Sequence, residues 1–176
     1  MGQCGGDYGD VLGFCGSFAC ALDEKGRLSI PARIRPGDPD SSRRKGIPAG
    51  EELVLTQGLD GCLILYTLKG WEDYKALIGN LSTNLRKTRY FKRRLYQNTS
   101  LVRIDNSGRI LIPENLRSLA GLDKEVLVIG VEQTIEIWNP EKYSTYLENY
   151  GQSYEDVAEE LHKDDSSREL SSPGDG

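Results

Sequence analysis

The sequence predicts an α+β fold, mainly β, built from one unit written twice. Two pairs of segments carry the duplication. "LDEKGRLSIPARIR" at 22–35 returns as "IDNSGRILIPENLR" at 104–117, an offset of 82. "GLDGCLILYTLKGWEDY" at 58–74 returns as "GVEQTIEIWNPEKYSTY" at 130–146, an offset of 72. The difference of ten falls between Pro31 and Gly58, in a Pro/Gly-rich stretch, as duplication followed by loop growth would leave it. A third observation supplies the class. Short runs with apolar residues at every second position bracket turn signals, and helical spacing appears only between and after them.

Residues 1–16 are Gly-rich and are expected to form a disordered leader. From Ser17 to Leu22, Phe18, Cys20 and Leu22 alternate with small or polar residues, which predicts a half-buried strand. "DEKG" places Asp first and Gly last, as a tight turn requires. Arg27 to Ile30 is the next strand, with Leu28 and Ile30 facing in and Arg27 and Ser29 facing out. Pro31 ends it or opens a short helix. Residues 35–52 read as a long mobile loop. Two strands follow in 53–66 around a turn at Gly58 to Gly61. Leu68, Trp71, Leu77, Ile78 and Leu81 stand near helical spacing. A second helix over 84–98 carries Leu85, Phe91 and Leu95 as its apolar stripe. The order then repeats: strand 101–104, turn "DNSG", strand 109–112, a short helix at "ENLRSLAG", strands "EVLVIG" and "IEIW", and a helix at "PEKYSTYLENYG". This gives a first repeat at 17–70, a helical connector at 71–98, a second repeat at 99–142, C-terminal helices at 143–162 and an acidic disordered tail at 163–176.

Of 176 residues, 38% are hydrophobic and 28% charged, which suits a soluble globular protein with disordered ends. No apolar run approaches the roughly 18 residues of a membrane helix. The first residues lack a basic start and an apolar core, so no secretory signal is expected, and Gly6 stands where a myristoylation pattern wants Ser or Thr. Cys4, Cys15, Cys20 and Cys62 form no C-x-x-C pair, and His162 is the lone histidine, which speaks against zinc. Cys20 and Cys62 read as small buried hydrophobes. Phosphate-loop, dinucleotide and metalloprotease motifs are absent, and no histidine is placed to serve as a catalytic base, so neither an enzyme nor a cofactor is expected. The net charge of −5 arises in the last stretch: residues 155–176 hold eight acids and two bases, and the remainder balances at +1.

Candidate chemistry therefore rests on cations. Strand alternation aims Arg27 and Arg109 outward, one step past each turn. Arginine is permanently charged and planar, with five donors that fit a phosphate or the guanine edge in the major groove. Lys25 adds a cation to the first turn, where the second has Ser107. Arg103, and Arg33 or Arg35, would widen either patch. A blander reading has Arg27 and Arg109 pair with Asp23 and Asp105 and merely stabilise their hairpins. "RKTRYFKRR" at 86–94 holds six cations in nine residues. It reads either as a track for a nucleic-acid backbone or as the solvated face of an amphipathic helix. RNA is the weaker nucleic-acid reading, because aromatics at base-stacking spacing are missing.

Together and in order, "DEKGRLSIPARIR", "GLDGCLILY", Trp71, "DNSGRILIPENLRSLAGL" and "IEIW" closely resemble the MraZ family of bacterial transcriptional regulators. The resemblance spans roughly Phe14 to Leu161. It implies two SpoVT-AbrB-type half-barrels per chain, combined into a swapped-hairpin β-barrel with peripheral helices. It implies a homo-oligomeric ring that presents many D-x-x-G-R turns to double-stranded DNA bearing short direct repeats. Those repeats would lie in the promoter of the division and cell-wall gene cluster that includes the protein's own gene. A cytoplasmic, nucleoid-associated location follows, with no membrane and no small-molecule substrate. The implied DNA-binding positions are Lys25, Arg27 and Arg109; Arg103 and Arg33 are additions from the residues themselves. The alternatives are an AbrB-like antitoxin, which usually has one motif copy and a toxin-binding tail, and a ring-forming protein-interaction scaffold without DNA specificity.

Overall fold

Each repeat lends strands to the other, and this exchange organises the molecule. The computed structural model describes residues 13–34 and 47–169, with side chains to residue 163. In chain order come β1 (Ser17–Ala21), β2 (Arg27–Ser29), a 3-10 turn (Ala32–Ile34), β3 (Glu52–Gln57), β4 (Leu63–Thr67), α1 (Leu68–Gly79) and α2 (Arg86–Gln97). The order recurs as β5 (Thr99–Arg103), β6 (Arg109–Leu111), α3 (Glu114–Ala120), β7 (Glu125–Val131), β8 (Thr134–Trp138) and α4 (Pro140–Asn149), followed by α5 (Tyr154–Glu169).

Six strands form one antiparallel sheet in the order β1-β7-β8-β4-β3-β5, and β2 and β6 form a separate two-stranded ribbon. If β1 answers to β5, β3 to β7 and β4 to β8, that order reads the same from either end. A pseudo-two-fold axis thus passes between β4 and β8. The hairpin strand of each repeat pairs with the other repeat: β1 lies on β7, and β5 lies on β3. The strands therefore bond as an open sheet and a ribbon, which specifies how the expected swapped hairpins are built; closed-barrel bonding is not present among the described residues.

Strand alternation divides the sheet into two faces. Leu53, Leu55, Leu63, Leu65, Val126, Val128, Ile135 and Ile137 face one way and share a core with Leu28 and Ile110 of the ribbon and Leu116 of α3. Val54 and Tyr66 face the other way and pack with Trp71 and Ile78 of α1 and Leu95 of α2. Both faces of β3 and β4 are covered, which explains their unbroken apolar runs. Thr67 caps α1 by accepting from the N–H of Gly70 at 3.0 Å. In α2 the buried stripe is Thr88, half-buried Phe91 and Leu95; Leu85, expected in that stripe, is exposed just ahead of the helix.

Two expected ends need correction. The leader was expected to be disordered through residue 16, yet Phe14 is buried in the core, and it exchanges backbone hydrogen bonds with Glu132 at 2.6 and 2.8 Å. The backbone at Cys15 passes so close to Gly130 that a Cβ there would collide with the Cys15 nitrogen. The reason is that a single aromatic anchor outweighs the glycines around it. The expected disordered tail begins at 163, but α5 continues to Glu169. The Pro/Gly-rich insertion lies mostly in 35–46, outside the described residues, as do residues 1–12 and 170–176.

The chain divides into two compact units, residues 1–143 and 144–176. In the second, Ser153 caps α5 by accepting from the N–H of Asp156 at 3.1 Å and donating to its carboxylate at 2.8 Å.

Candidate nucleic-acid interface

The two D-x-x-G-R segments fold by the same internal bonds. In the first, one carboxylate oxygen of Asp23 accepts from the N–H groups of Lys25 and Arg27, both at 2.9 Å. The other oxygen accepts from Arg27 Nε at 2.6 Å. In the second, Asp105 accepts from the N–H groups of Ser107 at 2.8 Å and Arg109 at 3.0 Å, and its other oxygen accepts from Arg109 Nε at 3.0 Å. Gly26 and Gly108 close the turns with φ of 77° and 73°, a left-handed conformation that glycine adopts without strain.

These bonds also fix the charges. The N–H of Arg27 is the largest influence on Asp23; with the Arg27 side chain and the N–H of Lys25 it holds that carboxyl at about 2, against some opposition from desolvation. Asp105 is lowered too, first by the N–H of Arg109. Both aspartates therefore stay ionised, and each orients its arginine. The pairing that the blander reading called for is thus present, but it occupies only part of each fork. Among the described residues Arg27 meets Asp23 through Nε alone, so neither Nη group is tied to that carboxylate; its side chain is 34% exposed. Arg109 is more committed: Nη2 also meets Asp105 at 2.9 Å, and Nη1 comes within 3.9 Å of Asp23.

The ribbon brings the two arginines together. Leu28 opposes Ile110 at its centre, and both are fully buried. Arg27 opposes Leu111, and Ser29 opposes Arg109. The outer face therefore carries Arg27, Ser29, Arg109 and exposed Leu111, with the arginines as diagonal neighbours roughly 7–8 Å apart. The ribbon is extended at each end, where the N–H of Ile112 donates to the Gly26 carbonyl and the N–H of Ile30 to the Gly108 carbonyl, each at 3.0 Å. The pseudo-two-fold axis passes through this centre.

The remaining candidates scatter. Lys25 is exposed on the first turn, and Arg33 is exposed on the 3-10 turn just after β2. Arg35 lies outside the described residues. Arg103 stands on the sheet face opposite the ribbon, beside buried Val102, and pairs with Glu52 at 3.0 Å. The basic run of α2 packs on that same opposite face. Arg89 there donates to the carbonyls of Thr83 and Asn84 at 2.9 and 2.7 Å, and Lys92 to that of Leu81 at 3.5 Å. The sheet thus separates the ribbon from α2.

Sequence reasoning passed over Arg117, whose guanidinium lies against Gly26. The signal was available, because the repeat offset sets Arg117 opposite Arg35. Among the described residues no group of three or more His, Cys, Asp or Glu could hold a metal ion. Cys62 is buried and its thiol is pushed up to about 12, chiefly by desolvation. No helix of the described residues is long and apolar enough to cross a membrane.

The chain matches the family model for MraZ protein twice, over residues 14–94 and 95–166. It is similar to the transcriptional regulator MraZ of Heliobacterium modesticaldum, 38% identical over 148 residues, covering 84% of this chain and 96% of that one. The regulators of the same name from Thermomicrobium roseum and Acetivibrio thermocellus are 37% and 36% identical with the same coverage. A solution structure from Pyrococcus horikoshii covers 70% of this chain and 87% of its own at 17% identity and a TM-score of 0.30, too loose a likeness to bear on the fold.

Proposed function

The chain belongs to the MraZ family of transcriptional regulators, and from that premise we propose that it grips duplex DNA with the β2–β6 ribbon and the turns flanking it. The family's role is regulatory rather than enzymatic. The observation that carries the proposal is the pair of aspartate-oriented arginines on the outer face of one ribbon. A two-stranded ribbon fits the B-DNA major groove, which is about 12 Å wide. Oriented Nη groups suit either a guanine edge or a phosphate. In this reading Arg27 is the stronger contact, because its Nη groups are less committed. Arg109 supports it, and Lys25 and Arg33 meet the flanking phosphates. Arg103 takes no part in one protomer's contact, being on the far face.

One ribbon is a small grip. We infer that copies of the chain assemble into a ring, so that several ribbons meet short direct repeats at once and gain avidity without any new contact. The target is the promoter of the division and cell-wall gene cluster, its own gene included, which places the protein in the cytoplasm at the nucleoid. A footprint on the DNA upstream of the gene tests this reading. Evenly spaced protected repeats, lost with Arg27→Ala, are expected. A footprint unchanged by that substitution would overturn it.

A further inference from the structure

The first turn rests on a residue from the other repeat. A Cβ built at Gly26 would lie 2.6 Å from Arg117 Cζ, 2.8 Å from Nε and 2.9 Å from Nη1. Three guanidinium atoms at nearly equal range mean that the planar group lies flat across the Gly26 α-carbon. Arg117 Nε is buried and has no hydrogen-bond partner among the described residues. That nitrogen therefore contributes here through contact rather than through a hydrogen bond. Its base is rigid. Arg117 sits on α3 between Leu116 and Ala120, both buried in the core. The helix end is locked by Gly121 in the left-handed region, and the Leu122 N–H donates to the Arg117 carbonyl at 2.8 Å. At the second turn, a Cβ at Gly108 would meet no described residue within 4 Å.

We propose that Arg117 is a positioning residue for the first DNA-facing turn: its guanidinium, carried by the second repeat, presses against Gly26 and holds Lys25 and Arg27 in their outward geometry. This rests on the DNA reading above for its consequence, but not for its geometry. Replacing Arg117 removes a planar platform that only a guanidinium supplies. Lysine keeps the charge and the aliphatic stem without the plane. A turn held in its bound shape binds with less loss of conformational freedom than one that must be ordered on contact.

Amide hydrogen exchange in the free protein tests the geometry. Arg117→Ala is expected to speed exchange at Lys25, Gly26 and Arg27 by about tenfold, while Ser107, Gly108 and Arg109 stay unchanged. Arg117→Lys should restore the parent rate only in part. Acceleration at both turns together, or at neither, overturns the proposal. Duplex affinity, measured at low salt to keep weak variants in range, tests the consequence. Arg117→Ala should weaken binding about tenfold in the parent and in an Arg109→Ala background, but add little to Arg27→Ala. Full additivity with Arg27→Ala would make Arg117 a direct contact and overturn the positioning role. Should Arg27→Ala and Arg109→Ala both bind like the parent, the DNA reading fails, and the exchange result still decides what Arg117 does to the turn.

Discussion

The two D-x-x-G-R turns share their backbone and Nε bonds to the aspartate, and differ in one further Nη contact and in what surrounds them. The first has Lys25 at its tip, a lightly committed arginine and Arg117 beneath its glycine. The second has Ser107 at its tip, an arginine drawn toward both aspartates and, among the described residues, no side chain against Gly108. The comparison teaches that duplication kept the turn's geometry while the surroundings changed what each arginine has left to offer. Asp23 and Asp105 set direction in both copies; the neighbours set availability.

The largest effect should come from the seat that the two turns share. Leu28→Ala or Ile110→Ala empties a fully buried position at the centre of the ribbon and should cost about 2–5 kcal/mol in urea unfolding. Because the two residues face each other across the pseudo-two-fold axis, the two losses should be similar. A large inequality would mean that the repeats do not support the ribbon alike.

Exchanging the turn tips sharpens the difference. Lys25→Ser should reduce the salt slope of duplex binding by about one and weaken binding uniformly across DNA sequences. Ser107→Lys should do the opposite. If both substitutions leave the slope alone, the tips do not meet phosphate.

The smallest effect is expected from pH. The folded pKa of Asp23 is depressed from 3.8 to about 2, so the stabilisation it brings is fully present above about 4 and is lost as pH falls toward 2. Asp105 is shifted in the same direction. Protection of the Arg27 and Arg109 amides should thus be flat between pH 8 and 5. A step within that range would show that another group holds the turns.

Much of the fold was legible because the repeat aligned nearly every strand with a counterpart, and tight turns fix strand ends. The exchange between repeats was not readable from pattern alone: the alternation in β1 buries Phe18 and Cys20 equally well whether β1 lies on β3 or on β7. It came from the family resemblance. The leader misled because composition averages over residues, and Phe14 acts singly. At the site, alternation aimed Arg27 and Arg109 correctly. Arg103 entered as an addition that would widen the patch, since a local charge pattern does not say which sheet face a strand end presents. Arg117 escaped notice because its partner, Gly26, lies 91 positions away and has no side chain to signal a contact.

The most direct measurement is the affinity of the full chain for duplex DNA from its own upstream region, by fluorescence anisotropy, for the parent, Arg27→Ala and Arg109→Ala. A lost arginine–guanine pair is worth about 1–3 kcal/mol, so each variant should bind roughly 5- to 150-fold more weakly per ribbon, with Arg27→Ala the weaker of the two. Parent-like binding by Arg27→Ala and Arg109→Ala would contradict the assignment of this ribbon as the DNA grip.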